Sequence, residues 1–346
     1  MRTTDVMPLV VGIPGSRLEA ADREVLERVH PAGIILFARN IVSAEQTRAL
    51  VEQLRELETP PFVAVDLEGG IVNRFSALWG ELPTPAQAGR AGRRAVRALG
   101  EAAGAACRRL GVHVDLAPVV DLECPGGCLG GQGRCFSDDP ERVVLLARLF
   151  NEGLATWGIS GCSKHFPGLG QVPVDTHELL PVLDSSETEL ARQIGVFEEL
   201  GPDFPAVMMA HVIVPGLGDA DRPASLSRTI VEKATALNGS PVVLSDDIEM
   251  GALEEWGDLP ERVAAAFSAR NHGVLVCKSF HRLDDIVGHL NELTSTDSNI
   301  STRIAEMAAR MGTLRNEVCQ KSAAVPAPDD ATVAQLWEHA RKEAAT

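Results

Sequence analysis

Eight short apolar segments alternate with longer amphipathic stretches along this chain of 346 residues, and this alternation leaves few folds open. The apolar segments are nearly continuous rather than alternating with polar residues, which is typical of strands buried on both faces of a parallel sheet. We place the predicted strands at 8–12, 33–37, 62–66, 112–118, 158–163, 206–210, 241–245 and 274–277.

The stretches between these segments have helical periodicity. Asp139 followed by Pro140 is a typical helix start, with an N-cap and a proline in the first turn. The chain therefore predicts an α/β fold, a single-domain (β/α)8 TIM-type barrel. A doubly wound sheet is the alternative, although no G-x-G-x-x-G motif follows the first strand. Helices are predicted at 43–57, 84–110, 140–157, 186–200, 260–270, 282–294 and 301–320.

We assign residues 1–321 to the barrel domain and residues 322–346 to a C-terminal linker and helix. An Ala/Pro-rich linker precedes this helix, which spans about 330–344. Its apolar side chains share one face and are expected to pack on the barrel; they are Val333, Leu336, Trp337 and Ala340.

The charge balance disfavours two classes of partner. The chain has 48 acidic and 32 basic side chains, a formal net charge of −16 that would repel nucleic acid and anionic lipid. No segment approaches the roughly 18 apolar residues of a membrane helix, and the N-terminus does not resemble a signal peptide. The odd number of cysteines, seven, favours a reducing compartment. We therefore expect a cytoplasmic protein, a monomer, with no nucleic-acid or membrane partner.

Charged side chains follow most of the predicted strands. In a parallel barrel these positions meet at one rim, where the chemistry of such folds is located. Each has a structural alternative: Asp66 could cap a helix, Lys164 and His165 could brace a carboxylate, and His211 could be a structural histidine that only supports the site. Of the adjacent Asp246 and Asp247, one could face the barrel mouth and the other brace the helix behind it. The candidates are Asp66 and Arg74 (third strand), Arg134 (fourth), Lys164 and His165 (fifth), His211 (sixth), and Asp246 and Asp247 (seventh).

Residues 163–177 predict a mobile loop over the barrel mouth, because their glycines and prolines oppose a helix. Asp175 and His177 stand near the end of this loop. A carboxylate beside an imidazole fixes its tautomer and raises its pKa, so this pair is a candidate proton shuttle. A capping or loop-stabilising role is the alternative.

A glycine-rich loop carries Cys124, Cys128 and Cys135. A C-x3-C spacing without a second pair is a weak zinc signal, and the loop lacks the Gly-Lys-Ser/Thr ending of a phosphate-binding P-loop. Whether these cysteines form a disulfide or a metal site stays open. No metal or organic cofactor is predicted.

Several segments together resemble glycoside hydrolase family 3, and within it the single-barrel β-N-acetylglucosaminidases of peptidoglycan recycling. The resemblance spans roughly residues 8–280, and its most specific part is the KHFPG…D-x-H motif at 164–177. The segments are GIILFARN (33–40), VDLEGGIVNRF (65–75), RCFSDDP (134–140), KHFPGLG…DTH (164–177), MMAH (208–211), PASLS (223–227) and SDDIEMGA (245–252).

This resemblance implies a retaining exo-β-N-acetylglucosaminidase that acts on muropeptides or short glycosides. Asp246 would be the nucleophile, and His177, braced by Asp175, the general acid and base. The sugar-binding residues would be Asp66, Arg74, Arg134, Lys164 and His165.

The sequence departs from the family pattern at Leu67, Ile71 and Leu169, which places the aglycone side and the substrate preference in question. Three alternatives follow: a GlcNAc phosphorylase, a hexosidase of relaxed specificity, and a sugar-binding barrel without turnover.

Overall fold

The computed structural model describes residues 6–176 and 178–346, and its centre is a closed barrel of eight parallel strands. Every neighbouring pair is parallel, and the barrel closes where the first strand pairs with the last. The (β/α)8 architecture is therefore confirmed. The strands are β1 (Met7–Gly12), β2 (Pro31–Leu36), β3 (Phe62–Val65), β4 (Val114–Asp115), β5 (Ser160–Phe166), β6 (Ala206–Met209), β7 (Val242–Asp247) and β8 (Gly273–Val276).

Thirteen α-helices in the described ranges surround and close this barrel. They are α1 (Ala20–Val29), α2 (Ala44–Arg55), α3 (Ser76–Trp79), α4 (Pro85–Ala91), α5 (Arg93–Leu110), α6 (Cys128–Gly131), α7 (Pro140–Thr156), α8 (Glu187–Leu200), α9 (Arg228–Thr235), α10 (Leu259–Ser268), α11 (Leu283–Thr296), α12 (Ser298–Ala323) and α13 (Asp330–Ala344).

Helix boundaries follow local chemistry. Asp139 caps α7 as predicted, since its side chain accepts a hydrogen bond from the backbone N–H of Glu141. The single helix predicted at 84–110 is wrong: Gly92, with φ at 108°, divides it into α4 and α5. Helices α1 and α9 were not predicted; each is short and buries only two or three side chains.

Two strand boundaries differ from prediction in ways that matter for the site. The fourth strand, Val114–Asp115, is much shorter than the predicted 112–118, and Pro118 beyond it has no N–H to donate to a ladder. The fifth strand runs to Phe166, whose carbonyl accepts from the Ala210 N–H at 2.7 Å. Lys164 and His165 therefore belong to a barrel strand rather than to the predicted loop.

Helix α12 closes the end of the barrel where the strands begin. Its side chains Met311, Leu314 and Val318 join the cluster that fills the barrel interior. Gly273 permits this approach, since a Cβ there would lie 2.7 Å from the sulfur of Met311. The opposite end, where the strands finish, is left for the site.

Helix α13 has the predicted span and packs on α5 and α4. Val333, Trp337 and Ala340 are fully buried, whereas Leu336 is only half-buried. The indole N–H of Trp337 donates to the Gly80 carbonyl at 3.2 Å. The domain boundary at residue 321 stays a prediction. Within the described ranges, no helix is long and apolar enough to cross a membrane.

Candidate active site

A polar pocket of about 640 Å³ opens where the barrel strands end. Its lining contains seven of the predicted site residues, which are far apart in the sequence. His177 lies outside the described residues, and His211 lies behind the pocket rather than in its lining. The seven are Asp66, Arg74, Arg134, Lys164, His165, Asp175 and Asp246.

Four charged side chains form one network in this pocket. The Lys164 ammonium lies 2.8 Å from an oxygen of Asp66 and 2.6 Å from an oxygen of Glu68. The Arg134 guanidinium donates two parallel hydrogen bonds of 2.8 Å to the same Glu68 carboxylate. Such bidentate, charge-assisted bonds are strong and fix orientation as well as position. Glu68 therefore holds two cations in place.

The network keeps its members ionised despite their burial. Burial alone raises the pKa of Glu68, but Arg134 and Lys164 outweigh it and hold the pKa far below its usual range. Burial likewise lowers the pKa of Lys164, but Asp66 and Glu68 reverse this effect and raise it above its usual value. The pocket thus contains fixed charges over the whole physiological pH range.

The chain around Asp66 explains why both carboxylates reach this network. Residues Leu67–Gly69 pair with Val72–Asn73 in a small antiparallel hairpin, and side chains alternate along its strands. Leu67 points into the core, and its N–H donates to Asp115 at 2.9 Å. Arg74, after the hairpin, brings its guanidinium within 3.8 Å of Asp66.

His165 is oriented by a buried carboxylate, Asp121. The Nδ1 atom of His165 lies 2.8 Å from Asp121, which also accepts the backbone N–H groups of His165 and Leu169 at 3.1 and 2.6 Å. Because Nδ1 donates to this carboxylate, Nε2 is the nitrogen that remains for a ligand. Asp121 thereby joins the end of β5 to the following loop.

Asp246 lies near the end of β7 and faces the pocket. Burial raises its pKa, but His165, His211 and Lys164, together with the backbone N–H of Asp247, more than offset this and leave the pKa below its usual value. The carboxylate is therefore ionised at neutral pH, as a nucleophile must be.

His211 lies behind this strand end. Its Nδ1 is 2.7 Å from the Ser225 hydroxyl, and its Nε2 is 3.0 Å from the carbonyl oxygen of Asp247. These contacts fix the backbone that carries Asp246. The sequence predicted only that His211 supports the site, and that role stays a prediction.

Asp247 has the opposite environment, because its side chain turns from the pocket and accepts the N–H groups of Glu249 and Cys277. Burial raises its pKa to about 6. A carboxyl whose pKa rises on folding costs stability as pH rises from its unfolded pKa to its folded one.

We therefore expect Asp247→Asn, which keeps an acceptor oxygen, to be more stable than the wild type at pH 8 by roughly 1–3 kcal/mol. At pH 4 the gain should vanish. Urea unfolding at both values measures this difference. A gain that is the same at both pH values would show that Asp247 does not titrate as described.

Two loops form one wall of the pocket. The Cys128 N–H donates to the Val172 carbonyl at 2.8 Å, and a Cβ on Gly127 would lie 2.0 Å from the Gly170 oxygen. The glycines thus let the two loops touch backbone to backbone. Asp175 lines the pocket on this wall, but the predicted proton shuttle with His177 and the predicted loop mobility stay predictions.

The structure describes the cysteines that the sequence left open as a disulfide or a metal site. All seven cysteines are free thiols. In the described part of the chain, no three or more His, Cys, Asp or Glu side chains are grouped so that they could hold a metal ion. Cys128 alone of the three loop cysteines lines the pocket, while Cys135 is buried in the core.

Comparison with known proteins gives the family of this fold and site. The family model described as "Glycosyl hydrolase family 3 N terminal domain" matches residues 5–311. A curated Beta-hexosaminidase of Methylococcus capsulatus is 36% identical over 310 residues, covering 86% of this chain and 90% of the relative. This chain belongs to glycoside hydrolase family 3. It is therefore an enzyme, a glycoside hydrolase, as the sequence resemblance implied.

Solved structures agree with the family assignment. NagZ from Neisseria gonorrhoeae, in complex with N-trifluoroacetyl-D-glucosamine, is 29% identical with a TM-score of 0.72, and the match covers 97% of this chain and 90% of NagZ. A family 3 beta-N-acetylglucosaminidase from Paenibacillus sp. has a TM-score of 0.88 and covers 99% of this chain and 68% of that one. At 24% identity it supports the fold alone.

Two buried acids of this family 3 site were not among the predicted site residues. Glu68 follows Asp66 by two positions, so strand alternation would have placed both on one face. Asp121 comes directly after the apolar pair Val119–Val120, the pattern that identified the other strand ends. Both signals were present in the sequence.

The three departures from the family pattern have different surroundings. Leu67 is core, and Ile71 is 65% exposed at the tip of the hairpin. Leu169 lines the pocket and donates its N–H to Asp121. Of these three, Leu169 is the one that lines the pocket.

Proposed function

We propose that this family 3 enzyme is a retaining exo-β-N-acetylglucosaminidase that releases terminal β-linked GlcNAc from muropeptides or short glycosides. The observation that carries the proposal is the ionised Asp246 carboxylate, which shares one pocket with Lys164, Arg134 and His165. The names of the curated relatives support a hexosaminidase, and the solved NagZ complex contains an N-acylated glucosamine.

The first half of the reaction forms a glycosyl-enzyme. An oxygen of Asp246 attacks the anomeric carbon while the bond from that carbon to the leaving oxygen breaks. His177 donates its proton to the leaving oxygen. The electron pair of the broken bond stays on this oxygen, which departs as an alcohol.

The second half reverses these roles. Water attacks the anomeric carbon, His177 takes its proton, and the bond to Asp246 breaks, so that the carboxylate is regenerated. Two inversions at one carbon retain its configuration. An imidazole with an ordinary pKa near ~6.5 suits a group that both gives and takes a proton near neutrality.

The charged network supplies sugar recognition. Asp66 offers carboxylate oxygens to sugar hydroxyl protons, while Lys164, Arg134 and Arg74 offer N–H donors to hydroxyl oxygens. Because Glu68 already fixes Lys164 and Arg134, and Asp121 fixes His165, little reorganisation of these three is needed when the sugar binds. A muropeptide substrate, a role in peptidoglycan recycling and a cytoplasmic location belong to the proposal as predictions of the sequence.

Product analysis tests the proposal. With an aryl β-GlcNAc and with GlcNAc linked to 1,6-anhydro-MurNAc, we expect free GlcNAc, first formed as the β-anomer, in the presence or absence of phosphate. GlcNAc 1-phosphate formed in phosphate buffer would instead assign a phosphorylase. Equal turnover of an aryl β-glucoside would assign a hexosidase of relaxed specificity, and binding without products a sugar-binding barrel.

His177→Ala should separate substrates by their leaving groups. We expect kcat/KM to fall by about 10²–10⁴-fold for an alkyl glycoside or muropeptide, because the departing alkoxide needs a proton. A dinitrophenyl leaving group needs none, so that its glycosylation step should fall much less. Pre-steady-state release of the phenol measures this step. Equal losses for both substrates would contradict a general-acid role.

A further inference from the structure

A second cavity, of about 840 Å³, lies at the end of the barrel opposite the active site, where β7 and β8 begin. Arg270 and His272 reach it from the segment before β8, and Arg303 and Arg310 reach it from α12. Three arginines in one cavity are notable in a chain with a net charge of −16. The cavity is therefore a local concentration of positive charge.

Two of these arginines have buried donors that lack acceptors. The Nε atoms of Arg270 and Arg310 are buried and have no hydrogen-bond partner among the described residues. Elsewhere on its guanidinium, Arg310 donates to the Ser240 carbonyl at 3.2 Å, and Arg270 approaches Glu232 only to 3.6 Å. Because the Nε atoms are buried, the terminal nitrogens of the two guanidinium groups are the donors that a ligand in the cavity can reach, and the side chain of Arg270 is 43% exposed.

The remaining donors point to the same kind of ligand. Within the described residues, the side chain of Arg303 has neither a hydrogen bond nor an ion pair. His272 accepts the Val243 N–H on Nδ1 at 2.9 Å, so that its proton is on Nε2. Burial and the nearby Arg310 lower the pKa of His272 to about 4, which keeps the imidazole neutral and donating at pH 7.

The two acids of the cavity offset only part of this charge. Glu232 is shared between Arg228, whose Nε lies 2.8 Å from its carboxylate, and Arg270 at 3.6 Å. Glu306 is exposed on α12 and has no ion pair among the described residues. Arg303 and Arg310 lie seven residues apart on α12, and Arg270 comes from the segment before β8. The guanidinium groups therefore reach the cavity from two elements and can contact an anion from more than one direction.

We propose that this cavity binds a phosphate group, either as free phosphate or as the phosphomonoester of a small metabolite. A tetrahedral dianion accepts hydrogen bonds from several directions, which suits separate guanidinium groups better than a planar carboxylate does. The cavity is larger than one phosphate needs, and the additional room would hold the organic part of an ester.

Calorimetric titration of the whole protein with inorganic phosphate and with glucose 6-phosphate tests this inference. Both titrations are done at constant ionic strength, with excess GlcNAc present to occupy the active site. We expect one phosphate group bound per chain and binding at least about tenfold weaker in Arg303→Gln. Arg303→Gln/Arg310→Gln should lose binding altogether.

The control is Arg93→Gln/Arg94→Gln, which removes the same charge from an exposed site at the start of α5 and should bind as the wild type does. Tighter binding of glucose 6-phosphate assigns the ester, and equal binding assigns free phosphate. The inference is overturned if neither probe binds or if Arg303→Gln binds like the wild type. It is also overturned if a parallel titration without GlcNAc shows binding that is lost when GlcNAc is added, because that result would locate the phosphate in the active site.

Discussion

Asp246→Asn should lower kcat/KM for an aryl β-GlcNAc by roughly 10³-fold or more, because an amide is a far weaker nucleophile than a carboxylate. The substitution is nearly isosteric, and Asp246 accepts the backbone N–H of Asp247 through Oδ1, which an asparagine oxygen retains. The loss should therefore be chemical rather than structural. Initial rates and the thermal midpoint, measured on the same preparation, separate the two.

The matched control is Asp247→Asn, the same change one residue further along β7. Asp247 is bonded to backbone N–H groups behind the pocket, so its variant should keep activity within about tenfold of the wild type. Mass spectrometry of the quenched reaction adds a direct observation: one GlcNAc mass on the wild-type protein and none on Asp246→Asn. Equal activity of Asp246→Asn and wild type would refute the proposed nucleophile.

Glu68→Gln should produce the largest loss of stability. Glu68 is 1% exposed and joins Lys164 to Arg134, so neutralising it leaves two buried cations with too few negative partners. Breaking a buried pair in this way costs about 3–5 kcal/mol of unfolding free energy. Activity should fall as well, because both cations line the sugar pocket. Urea unfolding and kcat/KM measure the two effects.

Glu52→Gln is the control for this experiment, since Glu52 pairs with Arg55 on the exposed face of α2 and should contribute less than about 1 kcal/mol. The sign of the pH dependence gives a second check. Folding lowers the pKa of Glu68, so its stabilising effect is present above the unfolded pKa and declines as pH falls below that value. The difference in unfolding free energy between wild type and Glu68→Gln should therefore become smaller at acidic pH. If Glu68→Gln loses no more unfolding free energy than Glu52→Gln does, Glu68 does not stabilise the buried cations as described.

The barrel could be predicted because each of its strands is buried on both faces, and such segments stand out as continuous apolar runs. The boundaries were harder. Lys164 and His165 interrupt the apolar pattern of β5, yet the strand continues through them, because buried acids elsewhere in the barrel pair with these polar side chains. Sequence periodicity does not register partners that lie 44 and 98 residues away.

The same limit applies to the site, because sequence patterns do not show which distant side chains pair with each other. Asp246 and Asp66 could be placed at strand ends, because topology brings those ends together whatever the intervening residues are. The roles of Glu68 and Asp121 depend on the cations and N–H groups that they contact. Those partners come from other segments of the chain, so a local sequence pattern does not show the pairing. The arginines around the second cavity are a further case: α12 was predicted as a helix, but nothing in its pattern indicated which strands it would cross.

Helix α12 closes one end of the barrel, and this limits how a sugar reaches and leaves the active site. Because Met311, Leu314 and Val318 fill the end of the barrel where the strands begin, a sugar enters only where the strands finish. Any sugar that contacts Asp246 therefore approaches from the mouth of the pocket. The product leaves by the same route, so product and incoming substrate compete for one passage.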